Sequence, residues 1–437
     1  MPAAIVSPDV RVRVRARAQR AWCLYDWANS AFATSVVSAI LPVYFARMAA
    51  KHMPAHEATA LWGYASAAAL ALTAVLSPVI GAIADQSQRR KLLLFACMTL
   101  GVAGTLGLAL TPAGEWRGLL VAFALAFIAF ATGNVLYDSL LPSVAGAHDI
   151  DRVSARGFAW GYIGGGVLLA INLAMITMPQ RFGLADAGSA TRAAFATVAA
   201  WWLAFSLPLF RHVPEPVAER AAVPIRQLAG AVLGQLTGTL RGLRQHPDLL
   251  RFLVAFWLYS DGIGTIIKMA TIYGVEVGLG DKDLMGALLM VQVLAAPASI
   301  AFGRLAAPLG PRGTVLIGIG GYTVISVFAF FLASPWQFWT LAALVALFQG
   351  GTQALSRSMF ASLVPRERSG EMFGFYSVSE KLAGVAGPIL FGVVTQLTHG
   401  GRLATLTLLP LFIGGAWLLS TVDLERGRRA AQDGNAH

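Results

Sequence analysis

Apolar residues run along this chain in blocks about one bilayer wide, divided by short polar breaks. Residues 119–131 carry no charge, and residues 315–355 carry none over two consecutive helix lengths. Neither a 3.6 nor a 2.0 period governs these blocks, and apolar runs beyond about 18 residues read as membrane-spanning helices. The pattern predicts helices over 23–46, 60–84, 92–112, 118–142, 157–178 and 193–210, then over 250–274, 284–304, 314–333, 337–360, 371–397 and 403–422. Between the two sets lies a polar linker, 211–249, with Pro214, Pro216, Pro224 and Pro247 and a surface helix over about 225–244. The predicted fold is all-α: twelve transmembrane helices in two six-helix bundles, 23–210 and 250–422. A basic N-terminal segment, 1–22, and a tail, 423–437, flank them.

Composition agrees with this reading. The chain is 57% hydrophobic and 13% charged, whereas an average soluble domain has roughly 25% charged residues to cover its surface. The net charge of +11 does not mark a nucleic-acid binder, because the basic residues sit in short loops. Arg11, Arg13, Arg15, Arg17 and Arg20 precede the first run; Arg89, Arg90 and Lys91 follow the second; Arg426, Arg428 and Arg429 follow the last. The opposite loops hold scattered residues such as Lys51, Arg117, Arg181 and Arg402. This imbalance predicts a multi-pass protein of the cell (inner) membrane with both termini cytoplasmic. The first apolar run, 28–46, exceeds the core of a signal peptide and lacks a small-residue cleavage site, so no cleavage is expected. Cys23 and Cys97 fall in apolar segments and read as buried thiols.

The two halves repeat one another. Gly81 to Asp85, followed by Arg89-Arg90-Lys91, joins the second and third helices, and Gly303 to Pro311-Arg312 joins the eighth and ninth. Leu136-Tyr137-Asp138-Ser139 matches Leu355-Ser356-Arg357-Ser358, and Leu24-Tyr25-Asp26 matches Leu258-Tyr259-Ser260-Asp261. Gly157-x-x-x-Gly161 with Gly164-Gly165-Gly166 matches Ala383-x-x-x-Gly387-Pro388 with Gly392. Such a parallel duplication is the pattern of carriers whose halves rock about a central site.

Chemistry enters with the polar residues inside the spans. Asp26, Asp138, Asp261, Lys268, Arg357, Glu380 and Lys381 are ionisable, and each costs about 2.5–3.5 kcal/mol mid-helix on insertion scales. They are expected to face the bundle interior and to pair. Asp138 and Arg357 hold matching positions, which points to an ion pair, either functional or static. Glu380 and Lys381 are adjacent, so they point about 100° apart, and only one can face a given partner. Asp26, Asp261 or Glu380 could serve as a proton-coupling carboxylate; the plainer reading is a helix-packing charge. In the loop, Gly81 lets helices approach closely. Asp85 can sit over a helix N-terminus of the other half or pair with arginine, as a gate latch held by Arg89, Arg90 and Lys91; the plainer reading is a topogenic cluster.

The spacing G-x-x-x-D-x-x-x-R-R after the second helix, with a degenerate copy in which Ala307 replaces the aspartate, resembles the signature of the major facilitator superfamily. The glycines of the fifth helix resemble that superfamily's antiporter-associated pattern, although Tyr162 stands where proline is usual. Leu24-Tyr25-Asp26-Trp27-Ala28-Asn29-Ser30-Ala31-Phe32, Ser356-Arg357-Ser358, and Phe373-Gly374-Phe375-Tyr376 through Gly387-Pro388 resemble one branch, the autophagy-related vacuolar amino-acid effluxers and their bacterial homologues. The resemblance implies alternating access and a cavity lined by helices 1, 4, 7 and 10. It makes Tyr25, Asn29, Asn134, Gln353 and Tyr376 substrate-contact candidates, with interhelical hydrogen bonding as the alternative.

The expected activity is secondary active transport of a small polar or zwitterionic solute, amino acids first, by efflux and with proton coupling. No enzyme is expected, since no nucleophile–base or metal constellation stands in the spans. No cofactor is expected beyond a proton or other ion gradient, since no G-x-x-x-x-G-K-[ST] loop appears. The partners are the lipid bilayer and a small solute, not nucleic acid, and the chain is expected to act as a monomer. A lipophilic-drug exporter of the same fold and a non-transporting membrane sensor are the alternatives. Trp116, Trp201, Trp202, Trp336 and Trp339 read as interfacial belt residues.

Overall fold

The computed structural model describes residues 8–45, 53, 55–146, 148–216, 223–242, 247–276, 281–383, 386–398 and 401–433. Among these residues it is all helix and turn. Helix α1 covers Pro8–Ala31 and runs on through a π-helical stretch, Phe32–Ile40, and a short turn, Leu41–Tyr44. Next come α2 (Ala55–Ser87), α3 (Arg90–Leu110), α4 (Trp116–Ser139), α5 (Ile150–Thr177) and α6 (Ala187–His212). The linker carries α7 (Ile225–Gly242). Then follow α8 (Pro247–Glu276), α9 (Asp281–Phe330) and α10 (Pro335–Leu363). The chain closes with α11 (Ser369–Leu382), α12 (Ala386–Thr398), α13 (Gly401–Leu406), α14 (Leu409–Ser420) and α15 (Leu424–Asp433).

Ten of these runs are long and apolar enough to cross a bilayer among the described residues. Two predicted boundaries account for the difference from twelve. The first predicted helix, 23–46, is one end of a rod that starts at Pro8 and changes winding at Phe32. The predicted helices 284–304 and 314–333 are both present within the run α9, as two helices that meet at a kink at Gly310, φ 73° and ψ 156°. Only glycine adopts that geometry without cost, and Pro308 and Pro311 flank it, so the bend lies where the sequence removes both side chain and donors. The predicted helix 371–397 is likewise two described helices, α11 and α12.

The described chain forms two compact units. One comprises Met1–Thr73, Arg89–Asp149 and Trp160–Val217; the other comprises Ala74–Gln88, Ile150–Ala159 and Ala218–His437. The ends of α2 and α5 therefore pack with the C-terminal helices.

In lipid, an apolar side chain gains little by moving from tail to neighbour, so helices associate where small residues let surfaces interlock. The first unit shows this at Trp202, whose ring lies against Gly101; a Cβ there would stand 2.3 Å from the indole. Phe32 and Phe130 pack on the same indole at 5.4 and 6.0 Å. Trp202 is thus a core residue, 1% exposed. Trp201 stacks on Trp27 at 5.6 Å and donates to its carbonyl. Trp202, as a core residue, does not belong to the belt expected from the sequence. In the second unit, Phe302 fills the notch at Gly351 and Phe348 that at Gly321, locking α9 to α10. Outside the spans, Asp186 caps α6 by accepting the Ser189 N–H, which holds its carboxyl below the usual carboxylate range.

Candidate functional site

The first unit gathers four of the predicted residues. Asn29 donates from Nδ2 to Asn134 Oδ1 at 2.5 Å, joining α1 to α4. One turn earlier on α1, Asp26 accepts from Tyr137 Oη at 3.2 Å and from Ser30 Oγ at 3.4 Å. Tyr25 is buried and stacks on Tyr137 at 4.9 Å, and Trp22 stacks on the same ring at 4.5 Å. Helix α5 lies against this cluster through its glycines. A Cβ on Gly161 would stand 2.6 Å from Ser30 Oγ and 3.1 Å from Asp26 Oδ1, and one on Gly164 would stand 2.4 Å from the Trp27 carbonyl. The glycine run in α5 is therefore the contact surface for α1. Asp138, the residue after Tyr137, is half-buried on α4.

The second unit holds a seam between α2 and α11. Asp85 accepts two backbone donors at the start of α11, Gly370 N–H at 3.0 Å and Glu371 N–H at 2.8 Å. A carboxylate on the free amides at the positive end of a helix is well placed electrostatically. The backbones touch here: a Cβ on Gly81 would stand 2.1 Å from Gly370 O, and one on Gly374 would stand 2.5 Å from Pro78 Cα. One turn deeper, Lys381 Nζ donates to Ser77 Oγ at 3.1 Å and also to Ser377 Oγ. Arg89 and Arg90 open α3 across a turn in which Gln88 takes φ 57°. The Lys91 N–H donates to Glu215 at 3.2 Å, and Arg90 is buried.

Beside it lies a second seam, between the start of α5 and α10. Arg357 donates from Nε to Ser154 Oγ and from Nη2 to Ser154 O, both at 3.0 Å, and its guanidinium lies 4.4 Å over the Phe158 ring. Ser358 Oγ donates to Asp151 Oδ1 at 2.5 Å. The sequence reading matched Arg357 with Asp138 and did not anticipate Ser154 or Phe158. Gln353 is half-buried one turn before Arg357.

The remaining predicted residues have separate places. Asp261, 1% exposed, accepts the Gly387 N–H at 2.7 Å and so caps the start of α12. Tyr376 sits in an aromatic cluster, 4.3 Å from Phe256 and 4.8 Å from Phe360. Glu380 is exposed beside Lys381. Lys268 lies in α8, and its side chain falls outside the described residues. Among the described residues, no group of His, Cys, Asp and Glu could hold a metal ion.

Several partners were missed in the sequence: Tyr137, Ser77, Ser154, Gly370, Gly374 and Glu371. Gly370-x-x-x-Gly374 was a usable signal, since small residues four apart mark close helix contacts. Ser77 and Ser154 gave none, because lone serines in spans are common.

Residues 53–432 match the family model described as "Vacuole effluxer Atg22 like". The chain belongs to this Atg22-like family. An uncharacterized MFS-type transporter, YxiO of Bacillus subtilis, is 38% identical over 419 residues, spanning 95% of this chain and 97% of that protein. Autophagy-related protein 22 of Eremothecium gossypii is 23% identical over 474 residues, 94% of this chain and 92% of that one. Among solved structures, the human organic anion transporter MFSD10 superposes with a TM-score of 0.73 at 16% identity, covering 93% of this chain and 99% of that one. The proton:xylose symporter XylE superposes with a TM-score of 0.67 at 14% identity. These likenesses show the major facilitator fold. As an Atg22-like member of that superfamily, the protein is a multi-pass membrane transporter and not an enzyme.

Proposed function

We propose that this Atg22-like transporter exports a small polar or zwitterionic solute, amino acids first, against a proton gradient. The contact of Asp85 with the first N–H groups of α11 carries the reading. It joins the duplicated halves of the sequence by one carboxylate, two amides and a glycine-to-backbone approach. Hydrogen bonds of this kind can part and re-form within a transport cycle.

The solute class follows from what lies on the same helices. The pair Asn29–Asn134, Asp26 under Tyr137 and Lys381 between two serines give a spanning protein both signs of charge and several neutral hydrogen-bonding groups. A lipophilic cargo needs none of these, and keeping them in a membrane is costly. Glu380 is the coupling carboxylate we favour over Asp26 and Asp261. It is exposed, whereas the other two are tied to Tyr137 and to Gly387. Efflux is favoured by the family description.

The test is a thermal-shift screen of purified protein against polar metabolites, followed by flux of each stabilising compound in proteoliposomes under an imposed pH gradient. The reading expects an amino acid or similar zwitterion to stabilise the protein and to move faster when protons flow the other way. Stabilisation by hydrophobic cations alone, or flux indifferent to the gradient, would overturn it.

A further inference from the structure

The sequence predicts only a surface helix in the linker, yet α7 reaches both sides of the α2–α11 seam. Gln235 accepts from Gln86 Nε2 at 2.5 Å through its Oε1 and donates from its Nε2 to Glu371 Oε2 at 2.7 Å. Gln86 follows Asp85 on α2, and Glu371 is the residue whose N–H Asp85 accepts. One amide thus bridges the residues next to each end of the Asp85 contact. The same Glu371 oxygen accepts from Arg368 Nη2 at 2.9 Å, and Arg368 also donates to Thr239, one turn after Gln235 on α7. The Val223 N–H donates to the Gln86 carbonyl at 3.1 Å.

Glu371 is fully buried, and its other carboxylate oxygen has no hydrogen-bond partner among the described residues. A buried carboxylate depends heavily on the donors it does have. Losing the Gln235 donor would leave that charge satisfied by Arg368 alone on its bonded oxygen.

We propose that Gln235 is a positioning residue for the gate: it fixes Glu371 and Gln86 so that Asp85 meets the start of α11, and the linker thereby sets how readily the seam opens. This rests on the reading of the α2–α11 seam as a gate. Helix α7 is then part of the transport machinery and not a tether.

The assay is the alkylation rate of Ser77→Cys, placed in the seam, by a membrane-impermeant maleimide in nanodiscs, with Cys23 and Cys97 replaced by alanine. Gln235→Leu removes two hydrogen bonds and is expected to raise the rate about 5–30-fold. Gln235→Glu sets a second carboxylate against Glu371 and is expected to raise it further. Gln235→Glu combined with Glu371→Gln restores a donor–acceptor pair and is expected to return toward the parent rate, which mere misfolding of α7 would not allow. Thr237→Ala, on the exposed face of α7, is expected to change nothing. Asp85→Ala tests the gate itself. If Asp85→Ala speeds labelling while the Gln235 variants do not, or if the double variant fails to restore protection, the role of Gln235 is overturned and the gate stands. If Asp85→Ala also leaves the rate unchanged, the gate reading fails.

Discussion

Asp261 accepts the backbone N–H of Gly387 at 2.7 Å, and a Cβ on that glycine would stand 3.1 Å from the other carboxylate oxygen. The same 3.1 Å separates the corresponding position on Gly161 from Asp26 Oδ1. In both units an aspartate on the leading helix faces bare glycine on a later one. The units differ in outcome: α5 runs on unbroken, whereas Asp261 caps the separate helix α12.

Asp261 is therefore expected to be structural. Asp261→Ala removes a helix cap, a change worth about 0.5–2 kcal/mol, whereas Asp261→Asn keeps a side-chain acceptor and loses less. Melting temperatures in detergent check the order, and the Asn variant is expected to keep proton-dependent flux. Flux made independent of pH by Asp261→Asn would move the coupling role to this residue.

The glycines of α5 yield a paired prediction. Gly164→Ala drives a methyl against the Trp27 carbonyl, with the Cβ only 2.4 Å away, and overpacking of this kind costs typically 1–3 kcal/mol. Gly320→Ala in α9 meets nothing within 4 Å and gains helix propensity, so it is expected to be neutral or slightly stabilising. Equal melting temperatures for the two variants would refute the α1–α5 packing described here.

Arg357→Lys is expected to behave as a disruptive change. The guanidinium donates from two nitrogens to Ser154 and covers Phe158, a forked and stacked arrangement that one ammonium cannot reproduce. Losing one hydrogen bond from a charged group costs about 1.5–3 kcal/mol. A lysine variant with wild-type melting temperature and flux would show that this geometry is dispensable.

Much of the fold was legible because lipid enforces it: uncharged runs, basic loops and the duplicated glycines each have a direct physical cause. The loop signature located Gly81 and Asp85, and Asp85 lies over a helix N-terminus, one of the two placements its chemistry allowed. What escaped the sequence was set by tertiary partners. Nothing in the apolar pattern distinguishes a π-helical stretch at Phe32–Ile40, or a helix that ends at Leu382. Gln235 carried no local signal, since a glutamine on a surface helix is ordinarily solvated. Trp202 looked interfacial by type, and only its fit over Gly101 makes it core.

Glu380→Gln is expected to uncouple transport from protons. Solute exchange across the membrane at equal pH should persist, while acceleration by a pH gradient should vanish. Asp26→Asn is expected to retain gradient dependence, because Tyr137 can go on donating to its amide oxygen while the amide nitrogen donates to Ser30 Oγ. Full gradient dependence in Glu380→Gln would exclude that residue as the proton carrier.

The parting of α2 from α11 is tested most directly by stapling them. Ser77 and Ser377 both accept from the same Lys381 ammonium, so cysteines are placed at these two positions and cross-linked with a short bifunctional maleimide or by oxidation, the cross-link being verified before flux is read. Flux of an identified solute is then measured in proteoliposomes before cross-linking, after it, and, for a disulfide, after reduction. The account predicts that the cross-link stops transport and that a reductant restores it where the link is a disulfide; undiminished flux through the cross-linked protein would contradict it.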